Sequence, residues 1–435
     1  MRKSVLALFV LMVSAPAVHA DITPGEIDQA AAAVQPQVVE WRRWFHQNPE
    51  LSNREFNTSA RIAEILREMG LEPETGIAHT GVIAMIEGGL PGPLVAIRTD
   101  IDGLPVEEQT GLPFASTVRT EYNGQDVGVM HACGHDAHMA MVLGAAKILN
   151  DMKAELPGSV MLIFQPAEEG PPTGEDGGAS MMLDEGIFEE RMPAAVFGMH
   201  VGISTPGGQF SVKPGPMMAA SDGFKIIVKG KQTHGARPWD GVDPVVVSSQ
   251  IVLGLQTIVS RQVDVTLAPS IISVGRISGG IRYNVIPDQV TLEGTIRSFD
   301  PDMRDYIHGA IERTARLIAE SAGAQIEFEI NQGPPALKNN AELTSLVLPA
   351  LERASGHPVL SIQPQTVAED FSEYANVTPA VFVFLGNWPE ELDPATQPTN
   401  HSPFFQMYEP YMQRGVSAYG HMVVDFLNSK IPVKD

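Results

Sequence analysis

The chain has 435 residues, 43% of them hydrophobic, with 29 basic against 52 acidic side chains and a formal net charge of −23. That length exceeds one ordinary domain, and the apolar fraction is enough for a sizeable core, so two globular domains are expected. The acidic balance argues against nucleic acid or an anionic membrane surface as a partner, since both attract Lys/Arg-rich faces.

The first elements in chain order are those of a secretory leader. Arg2 and Lys3 give a positive start, Val5 to Val13 form an apolar run too short to span a bilayer, and Val18-His19-Ala20 fits a small-residue cleavage site. Residues 1–20 therefore read as a signal peptide. The mature chain is then expected to start near Asp21 and to be exported, either periplasmic or secreted. Removing Arg2 and Lys3 leaves 27 basic residues of the 29 and a charge of −25. One cysteine, Cys133, rules out an internal disulfide, and in an oxidising compartment a lone thiol needs burial or a metal.

Helical spacing of apolar residues covers Glu26 to Asn48 and Asn57 to Met69, with Gly70 placed to stop the second helix. Gly81 to Glu87 and Leu94 to Thr99 read as buried strands, the latter running into Asp100-Ile101-Asp102. A helix follows from Asp136 to Leu149, then strands from Ser159 to Phe164 and Ala195 to His200. Short apolar strands alternating with helices predict an α/β domain with a largely parallel sheet. Polar residues cluster just past the strand carboxyl ends, where such sheets place their sites.

From about Lys213 to Pro335 the pattern changes. Strands Phe224 to Val228, Ile271 to Ile277, Val290 to Ile296 and Ile326 to Ile330 enclose helices Pro244 to Val259 and Met303 to Ala322. The order βαββαβ is that of a ferredoxin-like unit. The division predicted is a catalytic domain of residues 21–212 and 336–435, interrupted by a satellite domain of residues 213–335.

The strongest chemical signal is Met130-His131-Ala132-Cys133-Gly134-His135-Asp136-Ala137-His138. Thiolate and imidazole in one short segment suit zinc-, manganese- or cobalt-like ions, whereas any one of these histidines alone could be a surface residue. Further ligands must come from elsewhere in the chain. Glu168 and Glu169 follow a buried strand, so one could bind metal while the other acts as a base. His200 ends another apolar strand, and His401 lies in a polar turn. Asp100 and Asp102 either orient a ligand histidine or simply end a solvated strand. The chain lacks the H-E-x-x-H, G-x-S-x-G and G-x-x-x-x-G-K-[ST] patterns. Met181-Met182 and Met217-Met218 read as core packing.

Together these segments resemble the co-catalytic metallopeptidase and amidohydrolase family that holds aminoacylase, carboxypeptidase G and the indole-acetyl-amino-acid hydrolases. The matching stretches are RTDIDGLP (Arg98 to Pro105), MHACGHDAH, QPAEEG (Gln165 to Gly170) and GMH (Gly198 to His200). THGARP (Thr233 to Pro238), YNVIPD (Tyr283 to Asp288), AEDF (Ala368 to Phe371) and HSPFF (His401 to Phe405) complete the set. The resemblance implies that Cys133, His135, Glu169, His200 and His401 bind two divalent ions (zinc, manganese, cobalt or nickel), with the thiolate between them. It implies Glu168 as general base for metal-activated water and Asp102 as support for the metal centre. His234 would stabilise the oxyanion, often across a dimer interface, so a homodimer through the satellite domain is expected. Asn284 and Arg297 would grip a substrate carboxylate, the alternative being that Arg297 pairs with Asp300. The stretch Pro171 to Asp176 departs from the family pattern and lengthens a loop near the metals. The implied activity is hydrolysis of N-acyl amino acids. A carboxypeptidase or dipeptidase of the same chemistry is the alternative, and a non-catalytic metal-binding module a third.

Overall fold

The computed structural model describes residues 22–429. The signal-peptide expectation and the start of the mature chain lie outside the described residues. Thr23 caps the first helix, Pro24–Gln47, in a reciprocal box with Glu26. That helix buries the stripe Ile27, Ala31, Val34, Val38, Trp41 and Phe45, which packs on helices His135–Asp151 and Met412–Asn428. The middle one, rich in Ala, Met and Leu, is buried almost all round because it lies between the sheet and its two helical neighbours. Among the described residues no helix is long and apolar enough to cross a membrane.

The larger sheet has eight strands. Its centre is parallel: Pro157–Gln165 pairs with Leu90–Asp100, which pairs with Ala195–Gly207, which pairs with Ala380–Gly386. All nine residues of Pro157–Gln165 are buried, as expected for a strand covered on both faces. Antiparallel pairs enter toward the edges, where Gly81–Glu87 joins Pro157–Gln165 and Phe210–Val212 joins Ala380–Gly386. The fold is α/β with a largely parallel central sheet, as the strand–helix alternation predicts.

A second sheet of four strands, wholly antiparallel, takes the order Ser270–Ser278, Gln289–Ser298, Ala220–Lys229, Gln325–Gln332. With helices Pro244–Arg261 and Pro301–Ser321 it forms the ferredoxin-like unit. It has its own core, built on Phe224, Ile226, Ile251, Leu255, Leu292, Ile296 and Ile307. The chain crosses between the lobes twice, and the crossings run side by side: Gly215–Met218 pairs antiparallel with Leu337–Asn339. Near them Asp222 accepts from Arg304 and from Gly333 N–H, tying the outgoing and returning segments together.

Candidate active site

The site forms at the carboxyl ends of the central parallel strands, except that His200, expected to end its strand, lies inside Ala195–Gly207 and pairs there with Phe384. Gly134, at φ +97°, caps the helix that starts at His135, and a Cβ there would stand 2.4 Å from Val201 Cγ2. This left-handed turn is what allows Cys133 and His135, on either side of it, to converge. His401 also has a left-handed backbone, φ +68°. Its N–H donates to the Ala132 carbonyl (2.8 Å), and Asn400 Nδ2 donates to the carbonyls of Cys133 (3.0 Å) and Val201 (3.1 Å), strapping the His401 loop onto the Cys133 turn.

Each imidazole can be assigned a role from what it faces. His135 Nδ1 lies 2.8 Å from the Asp102 carbonyl and 3.2 Å from Asp102 Oδ1, both acceptors, so Nδ1 carries hydrogen. That leaves His135 Nε2 buried without a partner. His200 Nδ1 donates to the Val201 carbonyl (2.7 Å), which turns Nε2 to within 3.4 Å of Cys133 Sγ. His138 is different: Nδ1 donates to Asp100 Oδ1 (2.7 Å), and Nε2 accepts the Val201 N–H (2.9 Å). Both its nitrogens are engaged, so it braces the site and has no free donor for a metal.

The ligand atoms of Cys133, His135 and His200 lie within 4.8 Å of one another, and so do those of Cys133, Glu169 and His401. Two triads that share one thiol could hold two ions. The orphaned His135 Nε2, the buried thiol and the carboxylates fit divalent metals. So does the charge. Burial, then Glu169, Glu168 and Asp100, push the Cys133 thiol well up. Burial alone would lower His135, yet Asp100 and Asp102 push it up to about 10. Such a surplus of negative charge favours a bound cation.

Glu168 and Glu169 stand on the turn after Pro157–Gln165. Glu168 Oε2 is 3.9 Å and Glu169 Oε1 4.0 Å from His135 Nε2, and Glu169 Oε1 is 3.1 Å from His401 Nε2. Asp102 Oδ2 accepts the Glu169 N–H (3.0 Å) and the Ser52 hydroxyl (2.7 Å), so Asp102 fixes both His135 and the Glu169 backbone. Burial, then the charges of Glu369, Glu169 and Asp370, raise Glu168 well above the usual carboxylate range, and Arg98 opposes them. A cavity of about 340 Å³ opens over this cluster. Cys133, Glu168, Glu169, His200 and His401 line it, with Met218, Val367 and Phe384 as its apolar walls.

The three remaining candidates lie elsewhere. His234 and Asn284 are brought close to each other: Thr233–His234 pairs with Val285–Ile286, and Gly235 N–H donates to the Asn284 carbonyl (2.8 Å). His234 faces solvent, and neither residue lines the cavity. Arg297 Nε donates to the Thr366 carbonyl (3.1 Å), between the cavity residues Gln365 and Val367. The Asp300 pairing is not formed, because Asp300 Oδ1 caps the Pro301–Ser321 helix at Met303 N–H.

Three groups went unassigned in the sequence. Arg98, 1% exposed, contacts Asp100, Glu369 and Asp370 at 3.0, 3.1 and 2.8 Å. A charge directly after the apolar run Val95-Ala96-Ile97, within the same strand, is the available signal for Arg98. Glu369 and Asp370 stand within AEDF, whose two acids had no role of their own to reveal them.

The family model for peptidase family M20/M25/M40 matches residues 96–425. Thermostable carboxypeptidase 1 of Saccharolobus solfataricus is 40% identical over 397 residues, 91% of this chain and 96% of the relative. An N-acetyl-L-cysteine deacetylase of Bacillus subtilis is 40% identical over 355 residues, 82% of this chain and 81% of the relative. Among solved structures, the YXEP protein of Bacillus subtilis, a dinuclear metal-binding peptidase of the M20 family, superposes with a TM-score of 0.76 at 35% identity. That match covers 91% of this chain and 99% of the neighbour. The chain belongs to peptidase family M20/M25/M40, as a hydrolase of amide or peptide bonds that works with two divalent metal ions.

Proposed function

We propose that the chain hydrolyses the amide bond of N-acyl amino acids of N-acetyl, N-benzoyl or indole-acetyl type, acting after export. The observation that carries this reading is the position of Glu168, whose Oε2 lies 3.9 Å from His135 Nε2 and which lines the same cavity as Cys133, Glu169, His200 and His401. These four with His135 would hold the ions. Bound there, two divalent ions polarise the scissile carbonyl and acidify water. Glu168 takes the proton of the attacking water on a carboxylate oxygen. The same oxygen then hands the proton to the leaving amine nitrogen. Asp102 keeps His135 in one tautomer throughout.

An amino acid released from an N-acyl substrate carries a carboxylate beside the scissile nitrogen, and His234, Asn284 and Arg297 are the polar groups of the smaller lobe suited to oxyanion and carboxylate. His234 would reach the site from a second copy in a homodimer. Support comes from Ile281 and Tyr283, 106% and 96% exposed beside Asn284, which such a contact would cover. The carboxypeptidase relative keeps a second reading in play, with a peptide in place of the acyl group.

The test is a mass-spectrometric screen of metal-loaded protein against N-acetyl, N-benzoyl and indole-acetyl amino acids, dipeptides, and the primary amide of the best substrate. N-acyl amino acids should be cleaved fastest, and the primary amide up to about 10,000-fold more slowly. Dipeptides as the best substrates would favour the carboxypeptidase reading, and no turnover by fully loaded protein would leave a binding module.

A further inference from the structure

The turn that presents Glu168 and Glu169 is held in an uncommon conformation by residues outside the proposed chemistry. Ala167 has φ +52°, a left-handed backbone that a residue with a Cβ avoids when left to itself. Glu55, fully buried, accepts the Ala167 N–H on Oε1 (3.0 Å) and the Thr80 hydroxyl on Oε2 (2.6 Å). Two residues before it, Asn53 at φ +60° donates Nδ2 to the Asp176 carbonyl (3.0 Å), and Arg54 pairs with Glu175 through both nitrogens (2.6 and 3.0 Å). From the other side His79, at φ +76°, sets Nε2 3.2 Å from the Asp176 carbonyl. Segments 53–55 and 78–80 thus grip the 167–176 loop at both ends.

A carboxylate is an expensive group to bury for packing alone, since an apolar side chain would fill the space without desolvating a charge. What Glu55 supplies that an apolar residue could not is an acceptor aimed at one backbone amide. We infer that Glu55 is a positioning residue of the active site: by accepting the Ala167 N–H it locks the left-handed turn that aims Glu168 and Glu169 at His135. The inference rests on the reading of Glu168 as base and Glu169 as ligand. Without that acceptor Ala167 relaxes toward ordinary backbone angles, and both carboxylates, one and two residues on, swing away from His135 Nε2.

The test compares Glu55→Ala, Glu55→Gln and Thr80→Val in the full chain. Co²⁺ is the probe, followed by its visible bands and its affinity, alongside kcat, KM and Tm. Glu55→Ala should weaken Co²⁺ binding about 10- to 100-fold, the range seen when a residue supporting a metal ligand is lost. It should also lower kcat about 100-fold, the scale of a misplacement near 1 Å, with KM moved less than about threefold. Glu55→Gln keeps an oxygen for the Ala167 N–H and should restore most of both. Thr80→Val, which removes one of the two donors to Glu55, should show the same pattern at smaller size. A folded Glu55→Ala with parental Co²⁺ spectrum, affinity and kcat overturns the inference, whatever its Tm, and so does a Glu55→Gln as impaired as Glu55→Ala. Should Glu55→Ala fail to fold, a parental Thr80→Val overturns it. Co²⁺ affinity is read without substrate, so a protein inert toward every N-acyl amino acid would refute the functional reading and leave this test standing.

Discussion

Replacing Arg98 with methionine keeps most of the side-chain stem and removes the one guanidinium that faces Asp100, Glu369 and Asp370 together. Those carboxylates are 1%, 2% and 12% exposed, so water does little to replace the lost charge. Removing one partner of a buried ion pair costs about 3–5 kcal/mol, and Gln165 Oε1, which accepts Arg98 Nε at 2.8 Å, is orphaned as well. These terms overlap, and about 4 kcal/mol is the expected loss when the carboxylates are charged. The pH dependence has a definite sign. Burial pushes Glu369 up to about 8, against the pull of Arg98, from an ordinary value of 4.5. At Glu369 the folded protein therefore holds a proton that the unfolded chain releases, and the contribution of this group to stability falls as pH rises from about 4.5 to 8. Without Arg98 the folded pKa rises further, so the variant loses most at high pH, and protonation of Glu369 relieves part of the loss at low pH. Urea unfolding of chelator-treated parent and variant measures this, with a loss near 4 kcal/mol expected at about pH 8.5 and roughly half that at about pH 5.5. A loss below about 1 kcal/mol at the higher pH, or an equal loss at both, would refute the reasoning.

Cys133→Ser should lower metal content and turnover together, read by elemental analysis and kinetics, because a serine hydroxyl is a far poorer donor at neutral pH. Glu168→Gln should leave metal content intact and depress kcat by about 100- to 10,000-fold. Gly134→Ala must place a methyl 2.4 Å from Val201 Cγ2 at φ +97°, so urea unfolding should show a loss of at least about 1–2 kcal/mol. Chelation should lower the melting temperature, and Zn²⁺ at about 100 times its Kd should return about 2.7 kcal/mol per site. Zinc affinity should rise with pH, because thiol and imidazoles shed protons as they bind.

The sequence spoke most clearly where one physical signal had one reading. Apolar periodicity located the Gly81–Glu87 strand to the residue, and the βαββαβ order of the smaller lobe followed from the same alternation. Elements with weak or shared signals went unread: the Arg119–Tyr122 and Gln125–Gly128 hairpin is short and mostly exposed, with no apolar face to mark it. In the site, Cys133 and His135 stand out in the sequence as thiol and imidazole in one short segment, whereas Glu168, Glu169, His200 and His401 take their roles from the resemblance to the family motifs, His401 lying in a polar turn with no signal of its own. His138 shows the limit, since only the structure reveals Asp100 and the Val201 amide on its two nitrogens. Glu55 shows it further: its acceptor matters only because Ala167, 112 residues away, is left-handed, and no local pattern encodes that.

The electrostatics tie the base to the metals in a way neither motif states alone. Positive ions held by His135 and Glu169, whose ligand atoms lie within 4.8 Å of Glu168, would pull the Glu168 pKa down and weaken it as the proposed base. Glu369 and Asp370 also lie within 4.8 Å of Glu168, on no metal triad that includes Cys133, and their charges push its pKa up. Arg98 holds those two acids in place and tempers their push. With ions bound there, the basicity of Glu168 would be a balance between cations on one side and a paired acidic cluster on the other. The acids of AEDF and the arginine of RTDIDGLP bear on Glu168 through that balance, and Glu369 itself lines the cavity.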